Sequence, residues 1–417
     1  MRLRGIIAKG LNFKEGLNLT PLSIPTIIKK HKYGATATWS HNTDQYRPTV
    51  AGRGWEGEIY ALKHNLQVTT YLNHVVSDMY VSQIQGALDG GRLSIGSYDL
   101  TAQEYFEGKL TDTDYMDYLV EQTEWVKRNF GYYPTTASFG YGRQTFKDDL
   151  ANYYLGTRNS GYDLMDFDYD ITDTSSFQST SRHADMAGEW ATVLNSCNTA
   201  LQNAITAGGW YRDFAHWHSN AKIKDFFEAQ SPIIHSNNVV TLGMGEALEY
   251  MKFRQSTQRA EVGTDGTQIY VSAIVSPSAL NRKLIKTHLS VEIDLTGTAF
   301  AGKELSSSHG LQKIAPNKFI VEVPYGSYAV LSESSGDYLD FELPSVISTE
   351  NNTVITDKPT KLSIWQVPLN GPLDQAQLAS RDNNLSLSHE FGALDKTTSD
   401  YYFGLITQEQ QSILVKY

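Results

Sequence analysis

Three segments in immediate succession, GATATWS (residues 34–40), EGEIYALKHNL (56–66) and QVTTYLNHV (67–75), decide the fold of this chain. The first and third are rich in β-branched and aromatic residues, while the second spaces its apolar residues one helical turn apart. The reading is strand, helix, strand, and two strands joined through a helix lie parallel in one sheet. The pattern continues outward. VSQIQGALDGG (81–91) has helical spacing and RLSIGSY (92–98) reads as a short strand. In DTDYMDYLVEQTEWVKRNFG (112–131), Met116, Leu119, Val120, Thr123 and Val126 form a helical stripe, with Asp112 or Thr113 as the cap and Gly131 as the stop. Further strands are predicted in TTASFGY (135–141), DLMDFDY (163–169) and WYRDFAHW (210–217), and helices in KDDLANYYLG (147–156), EWATVLNSCNTALQNAITAG (189–208) and AKIKDFFEAQ (221–230). VVTLGMGEALEYMKF (239–253) reads as one more strand running into a helix. Alternation over this length implies a parallel sheet, open or closed into a barrel, whose functional loops gather at the carboxyl ends of the strands.

The remainder of the chain differs. TQIYVSAIVS (267–276), KTHLSVEIDL (286–295), NKFIVEVP (317–324), GSYAVLSE (326–333) and DYLDFELP (337–344) alternate apolar and polar residues between Gly, Ser, Asn and Pro turns. That pattern predicts an antiparallel β-sandwich. KLSIWQVPL (361–369) and SILVKY (412–417) are strand candidates in a more polar tail. The expected organisation is an N-terminal arm over 1–30, a β/α domain over 31–255, a β-sandwich over 256–356 and a small β region over 357–417.

Composition narrows the partners. At about 100–200 residues per domain, a chain of 417 residues holds two or three domains. Its 46 acidic against 35 basic residues, a net charge of −11, provide no overall positive field for nucleic acid. Cys197 is the sole cysteine, so neither an intramolecular disulfide nor a thiolate metal cluster can form. No apolar run approaches the roughly 20 residues of a membrane helix. In the opening MRLRGIIAKG, Lys9 interrupts the apolar segment, and no classical export signal is expected.

Several pieces, in order, resemble the polysaccharide deacetylase family. ALKHNLQVTTYL (61–72) is similar to that family's helix and second strand, and LSIGSY (93–98) to its "HEIGSH" segment. WVKRNFGYYPTTASFGYG (125–142) is similar to the helix entering its "RPPYG" loop, and VVTLGMGEALEYM (239–251) to its closing strand and helix. The resemblance covers about half the chain, from Tyr33 to Phe253. It implies a distorted β/α barrel that removes acetyl groups from chitin-like or peptidoglycan sugars with a divalent metal of the zinc type. The family's active-site motifs are altered. TWSHN (38–42) falls where Thr-Phe-Asp-Asp-Gly would lie, so Ser40 replaces the base and His41 the metal aspartate, with Asp44 the nearest carboxylate. In SYDLTA (97–102), Tyr98 and Ala102 stand at the two histidine ligands and Asp99 remains. The arginine of the third motif is missing. Phe214-Ala215-His216 matches Leu-x-His, and His218 extends it to a pair sharing one face of a strand.

A hydrolytic metal site needs at least three converging N or O ligands and a base near the bound water. His41, Asp99 and His218 are the candidate ligands, and His216, Asp44 and Asp168 the candidate catalytic groups, with His216 as the acid. Asp166, Asp168 and Asp170 recur at period two. They suit support of a deacetylase site, a glycosidase carboxylate pair, a solvated acidic loop or a structural calcium site, and all four readings stay open. Trp39, Tyr98, Tyr141 and Trp217 are candidate stacking faces for a sugar ring. Trp55, Trp210 and Tyr211 lie nearby. Buried aromatics would produce the same density. The expected function is hydrolysis of acetyl groups, or of glycosidic bonds, in a glycan polymer. The alternative is a catalytically silent barrel that binds glycan or serves as a structural part of a surface assembly such as a phage tail, acting outside the cell as a virion component; a homo-oligomer or larger assembly is the partner state left open.

Overall fold

The computed structural model describes residues 19–44, 55–74, 78–89, 92–99, 101, 104–105, 107–139, 153–159, 176–178, 189–215, 220–276, 286–334, 336, 338–350, 352–371, 373, 376–407 and 411–417. Its elements in the first part of the chain are β1 (Thr20–Pro21), β2 (Thr26–Ile28), β3 (Ala37–Asp44), α1 (Trp55–Lys63), β4 (Val68–Leu72), α2 (Val81–Asp89), β5 (Leu93–Asp99) and α3 (Asp112–Phe130). There follow β6 (Thr136–Phe139), β7 (Gly156–Asn159), β8 (Ser176–Gln178), α4 (Trp190–Ala207), β9 (Trp210–Ala215), α5 (Asn220–Ser236), β10 (Val239–Thr241) and α6 (Met244–Ser256). The rest is strand: β11 (Thr257–Thr264), β12 (Gln268–Val275), β13 (His288–Asp294), β14 (Leu305–Ser307), β15 (Leu311–Ala315), β16 (Lys318–Pro324), β17 (Tyr328–Glu333), β18 (Val346–Glu350), β19 (Thr353–Pro368), β20 (Gln377–Glu390), β21 (Ser399–Thr407) and β22 (Ser412–Lys416). Among the described residues, no helix is long and apolar enough to cross a membrane. Contacts divide the chain into two units, Ala37–Gly245 with Phe341–Tyr417, and Met1–Thr36 with Glu246–Asp340.

The first unit is built on a parallel sheet of order β10-β3-β4-β5-β6-β7-β8, with β9 also paired to β3. Side chains alternate across a strand, and the register carries that alternation from strand to strand. Ser40 pairs with Arg212, Asn42 with Thr69 and Phe214, Thr69 with Ser94, and Tyr98 with Ser138 beside Arg158. These residues share one face, polar despite its burial. Trp39, His41, Tyr211 and Asp213 occupy the other, against α5, and Ser97, Asp99 and Ala137 lie on that same face. Parallel strands covered on both faces normally read as continuous apolar runs; here the helix-covered face carries His41, Asp213, Ser97 and Asp99 among its apolar residues, and the other face is polar throughout much of its length.

Helix α3 forms where its spacing predicts, but its cap is Thr111, one residue before Asp112 and two before Thr113, the expected caps. The Thr111 hydroxyl accepts from the Asp114 N–H and the Asp114 carboxylate accepts in return, a capping box. Gly131 ends the helix with φ 81°, a left-handed value that glycine adopts without a Cβ clash. The buried stripe includes Tyr115, Gln122 and Trp125 as well as Leu119, Thr123 and Val126. The expected helix at 147–156 lies mostly outside the described residues, and its last residue opens the unpredicted strand β7. The expected strand at 163–169 lies wholly outside them.

Within the same unit, β18, β19, β21 and β22 form an antiparallel sheet, with β20 also paired to β19. It packs on α1. Trp365, Val367 and Ile406 join the core of Ile59 and Leu62, and the Ser412 hydroxyl and amide bond Leu62 O and Asn65 Oδ1. The strand predicted at 361–369 is the second half of a strand of 16 residues.

The second unit holds two antiparallel sheets, β1-β11-β12-β17-β14 and β15-β16-β13-β2. Leu289, Val291 and Ile293 of β13, and Phe319, Val321 and Val323 of β16, are buried at the strand period. Two short strands of the N-terminal segment belong here, β1 on β11 and β2 on β13. The stretch 338–344 forms no strand, although the alternation predicts one.

Candidate functional site

All strands of a parallel sheet end on one edge, and ligands of open α/β sheets bind there. The described strands reach that edge at Asp44, Leu72, Asp99, Phe139, Asn159, Gln178, Ala215 and Thr241. The polar face below the edge is a network of short side chains and two arginines. The Arg158 guanidinium lies 3.8 Å from the centroid of Phe214 and 5.3 Å from that of Tyr71, and it donates to Ser138 Oγ. The guanidinium of Arg212 lies 5.1 Å from the Trp210 ring. Trp210 donates its indole N–H to Ser40 Oγ at 2.9 Å, and Ser40 donates to Leu242 O at 2.8 Å. Asn42 donates to Asp213 O at 2.6 Å, and Thr69 and Ser94 bond at 2.7 Å.

Three of the candidate residues lie on the helix face. His41 is fully buried on the helix face, its Nδ1 3.4 Å from Asp213 Oδ2 and its ring packed 5.1 Å from Phe226 and 5.7 Å from Phe227. As neighbours on a strand, Ser40 and His41 point to opposite faces, so an imidazole at position 41 turns toward α5, away from the polar face. Asp99 also lies on the helix face, buried, accepting from the Tyr115 hydroxyl, from Thr101 N at 2.7 Å and from Thr101 Oγ1 at 2.9 Å. Burial, reinforced by the neighbouring Asp99 carboxylate, pushes the Tyr115 hydroxyl far up, so it stays a donor. His41 and Asp99 therefore pack against different helices and are not brought together as metal ligands. Trp39 lies on the same face. It is buried against α5, donating its indole N–H to Gln230 at 2.7 Å.

Of the remaining candidates, Tyr98 is on the polar face and half-buried, its carbonyl accepting from Asn73. Asp44 is the last residue of β3, paired with Tyr71. Asp168, Tyr141, His216, Trp217 and His218 lie outside the described residues. Among the described residues, no group of three His, Cys, Asp or Glu side chains is placed to hold a metal ion. The zinc-type ion implied by the resemblance is thus not fitted by His41 and Asp99.

Sequence reading overlooks a cluster at the end of β4. His74 donates its backbone N–H to Gln122 Oε1 at 2.7 Å, and its Nδ1 lies 2.8 Å from that same oxygen. Gln122, fully buried on α3, donates its Nε2 to Leu72 O at 2.9 Å. Asn73 bridges Tyr98 O and the Tyr118 hydroxyl, and the Tyr118 ring lies 5.1 Å from His74. The available signal was a glutamine on the buried stripe of a helix, one turn after Leu119. Arg158 was also missed, because β7 is too short to show a period.

No family model matches this sequence, and neither does any curated protein. Similar solved structures include a Mycobacterium smegmatis protein described as a polysaccharide deacetylase. It shares 13% identity over 58% of this chain and 97% of its own, with a TM-score of 0.43. A family 4 carbohydrate esterase from Streptomyces lividans, in complex with acetate, shares 13% identity over 50% of this chain and 91% of its own, at a TM-score of 0.32. An allantoinase shares 8% identity over 54% of this chain and 93% of its own, at 0.40. Polysaccharide and peptidoglycan deacetylases are thus among the proteins it resembles.

Proposed function

We propose that the chain is a carbohydrate-active hydrolase of the deacetylase type, taking an N-acetylated glycan at the carboxyl edge of its parallel sheet. The β/α domain is read as a distorted barrel and the two antiparallel sheets of the second unit as a β-sandwich. One observation carries the reading. β3 and β9 are parallel neighbours, with Thr43 in register with Ala215, so β3 ends with Asp44 and β9 with the residue just before His216. The two residues that the sequence nominates as base and acid are thus, along the chain, the last of β3 and the one after β9.

In this reading Asp44 accepts a proton from water as the water oxygen bonds to the acetyl carbon. His216 gives a proton to the sugar nitrogen as the C–N bond breaks, leaving acetate and a free amine. Asp168 supports the pair, and Tyr98, Tyr141 and Trp217 contact the glycan. His41 and Asp99, two of the three ligands that the resemblance implies, face the helices and take no part in these steps.

The test is acetate release from N-acetylglucosamine oligomers. His216→Ala and Asp44→Asn should each reduce it by about 10²–10⁴-fold, the usual contribution of a general acid or base. Wild-type protein that releases no acetate, or a His216→Ala protein as active as wild type, would overturn the reading.

A further inference from the structure

A buried glutamine committed to one imidazole points to a binding residue at the end of β4. Gln122 Oε1 is only an acceptor, and its orientation is fixed because the Nε2 of the same amide donates to Leu72 O. An Nδ1 that lies 2.8 Å from that oxygen must therefore carry the hydrogen. In the neutral ring the lone pair is then on Nε2. His74 is half-buried and stands just beyond Leu72, at the edge where the strands end. Among the described residues its Nε2 meets no hydrogen-bond partner, while its ring is held against Tyr118. Anchoring the chain to α3 needs only the backbone N–H of His74. The second contact adds a choice of tautomer, which an anchor does not require and a binding site does.

We propose that His74 Nε2 accepts a hydrogen bond from a hydroxyl or acetamido N–H of the bound glycan, with Gln122 as the positioning residue that selects the tautomer. This rests on the reading of the sheet edge as a site for N-acetylated glycans. Chitopentaose is the probe. In protein labelled with ¹⁵N-histidine, with the His74 signals assigned by their loss in His74→Asn, the free protein should show a protonated Nδ1 and a bare Nε2. Addition of chitopentaose should move the Nε2 resonance in the direction of hydrogen bonding. An asparagine reproduces the Nδ1 position but not Nε2, so His74→Asn should keep the thermal unfolding midpoint and weaken chitopentaose about tenfold. His74→Gln, which returns an acceptor near the Nε2 position, should recover part of that loss.

A His74 protonated on Nε2 in the free protein overturns the proposal. So does a His74→Asn protein that binds as tightly as wild type, and in that case the glycan reading stands. Wild-type protein that neither binds chitopentaose nor releases acetate from it removes the glycan reading itself, and this proposal with it.

Discussion

The imidazole of His41 and the carboxylate of Asp213 face each other at 3.4 Å on adjacent strands, and neither is exposed to solvent. Trp39, Phe226 and Phe227 pack around the imidazole on the helix face. Removing one partner of such a pair strands the other polar group in an apolar surrounding, at a cost of about 1–3 kcal/mol. Asp213→Ala and His41→Ala should each lower the urea midpoint by a corresponding amount while leaving bound metal, measured by elemental analysis, as in wild type. A His41→Ala protein of unchanged stability that has lost a bound ion would restore His41 as a ligand.

Trp39 leads to a related expectation. Gln230 accepts the Trp39 indole N–H at 2.7 Å and donates to the Tyr211 hydroxyl at 3.0 Å, all of it buried. Trp39→Phe keeps much of the apolar contact but leaves the glutamine oxygen without its donor, a loss of about 1–3 kcal/mol. Calorimetric unfolding should register that loss, and glycan affinity should not change. A weakened affinity at full stability would mean that the ring reaches the ligand after all.

Those two residues also show what the primary structure conceals. The order of strands and helices is legible because β4 is β-branched and α3 carries a turn-by-turn stripe ended by Gly131. The facing of TWSHN is not legible, because both sides of β3 are buried and the usual rule that polar residues face out has nothing to act on. Trp39 and His41 go to the helices and Ser40 and Asn42 to the polar face, a choice made by Phe226, Phe227 and Gln230 far along the chain. Asp99 is settled in the same way by Tyr115. Strands β7 and β8, of 4 and 3 residues, are shorter than any period can reveal.

A buried carboxyl in the second unit should make stability depend on pH. Glu322 accepts from the Ser290 hydroxyl, and among the described residues its Oε2 has no hydrogen-bond partner. Burial pushes its pKa up to about 7 from an ordinary value of 4.5, against the pull of Lys32 and Ser290 and with the help of Glu246. A raised carboxyl binds its proton more tightly in the folded state, so its stabilisation is full below about 4.5 and is lost as pH rises to about 7. The slope is about 1.4 kcal/mol per pH unit. Glu249, raised to about 7 chiefly by burial, acts in the same direction, while His288, lowered to about 4 chiefly by burial, gains stability with rising pH up to about 6.5. The comparison must therefore be with Glu322→Gln. Relative to wild type, that protein should gain stability steadily between pH 4.5 and 7 in urea titrations. A constant difference across the range would show that Glu322 does not titrate there.

Gly96 tests the packing of the polar face. It lies in the middle of β5, paired with Tyr71 of β4, and a Cβ added to it would stand 2.4 Å from Tyr71 Cε1 and 3.1 Å from Thr136 O. Glycine in a strand interior weakens the strand unless another group needs the space; here the ring of Tyr71 uses it. That ring in turn has the Arg158 guanidinium 5.3 Å from its centroid. Gly96→Ala must displace the ring, since the carbonyl of Thr136 belongs to the sheet and cannot yield. Overpacking of this kind costs about 1–3 kcal/mol, and the moved ring should also disturb Arg158. The same substitution should therefore lower the thermal midpoint and weaken or abolish glycan binding. The double variant Gly96→Ala with Tyr71→Leu, which removes the obstructing ring, should recover most of the stability. If Gly96→Ala alone proves as stable as wild type, Tyr71 does not lie across Gly96 and the polar face is packed differently.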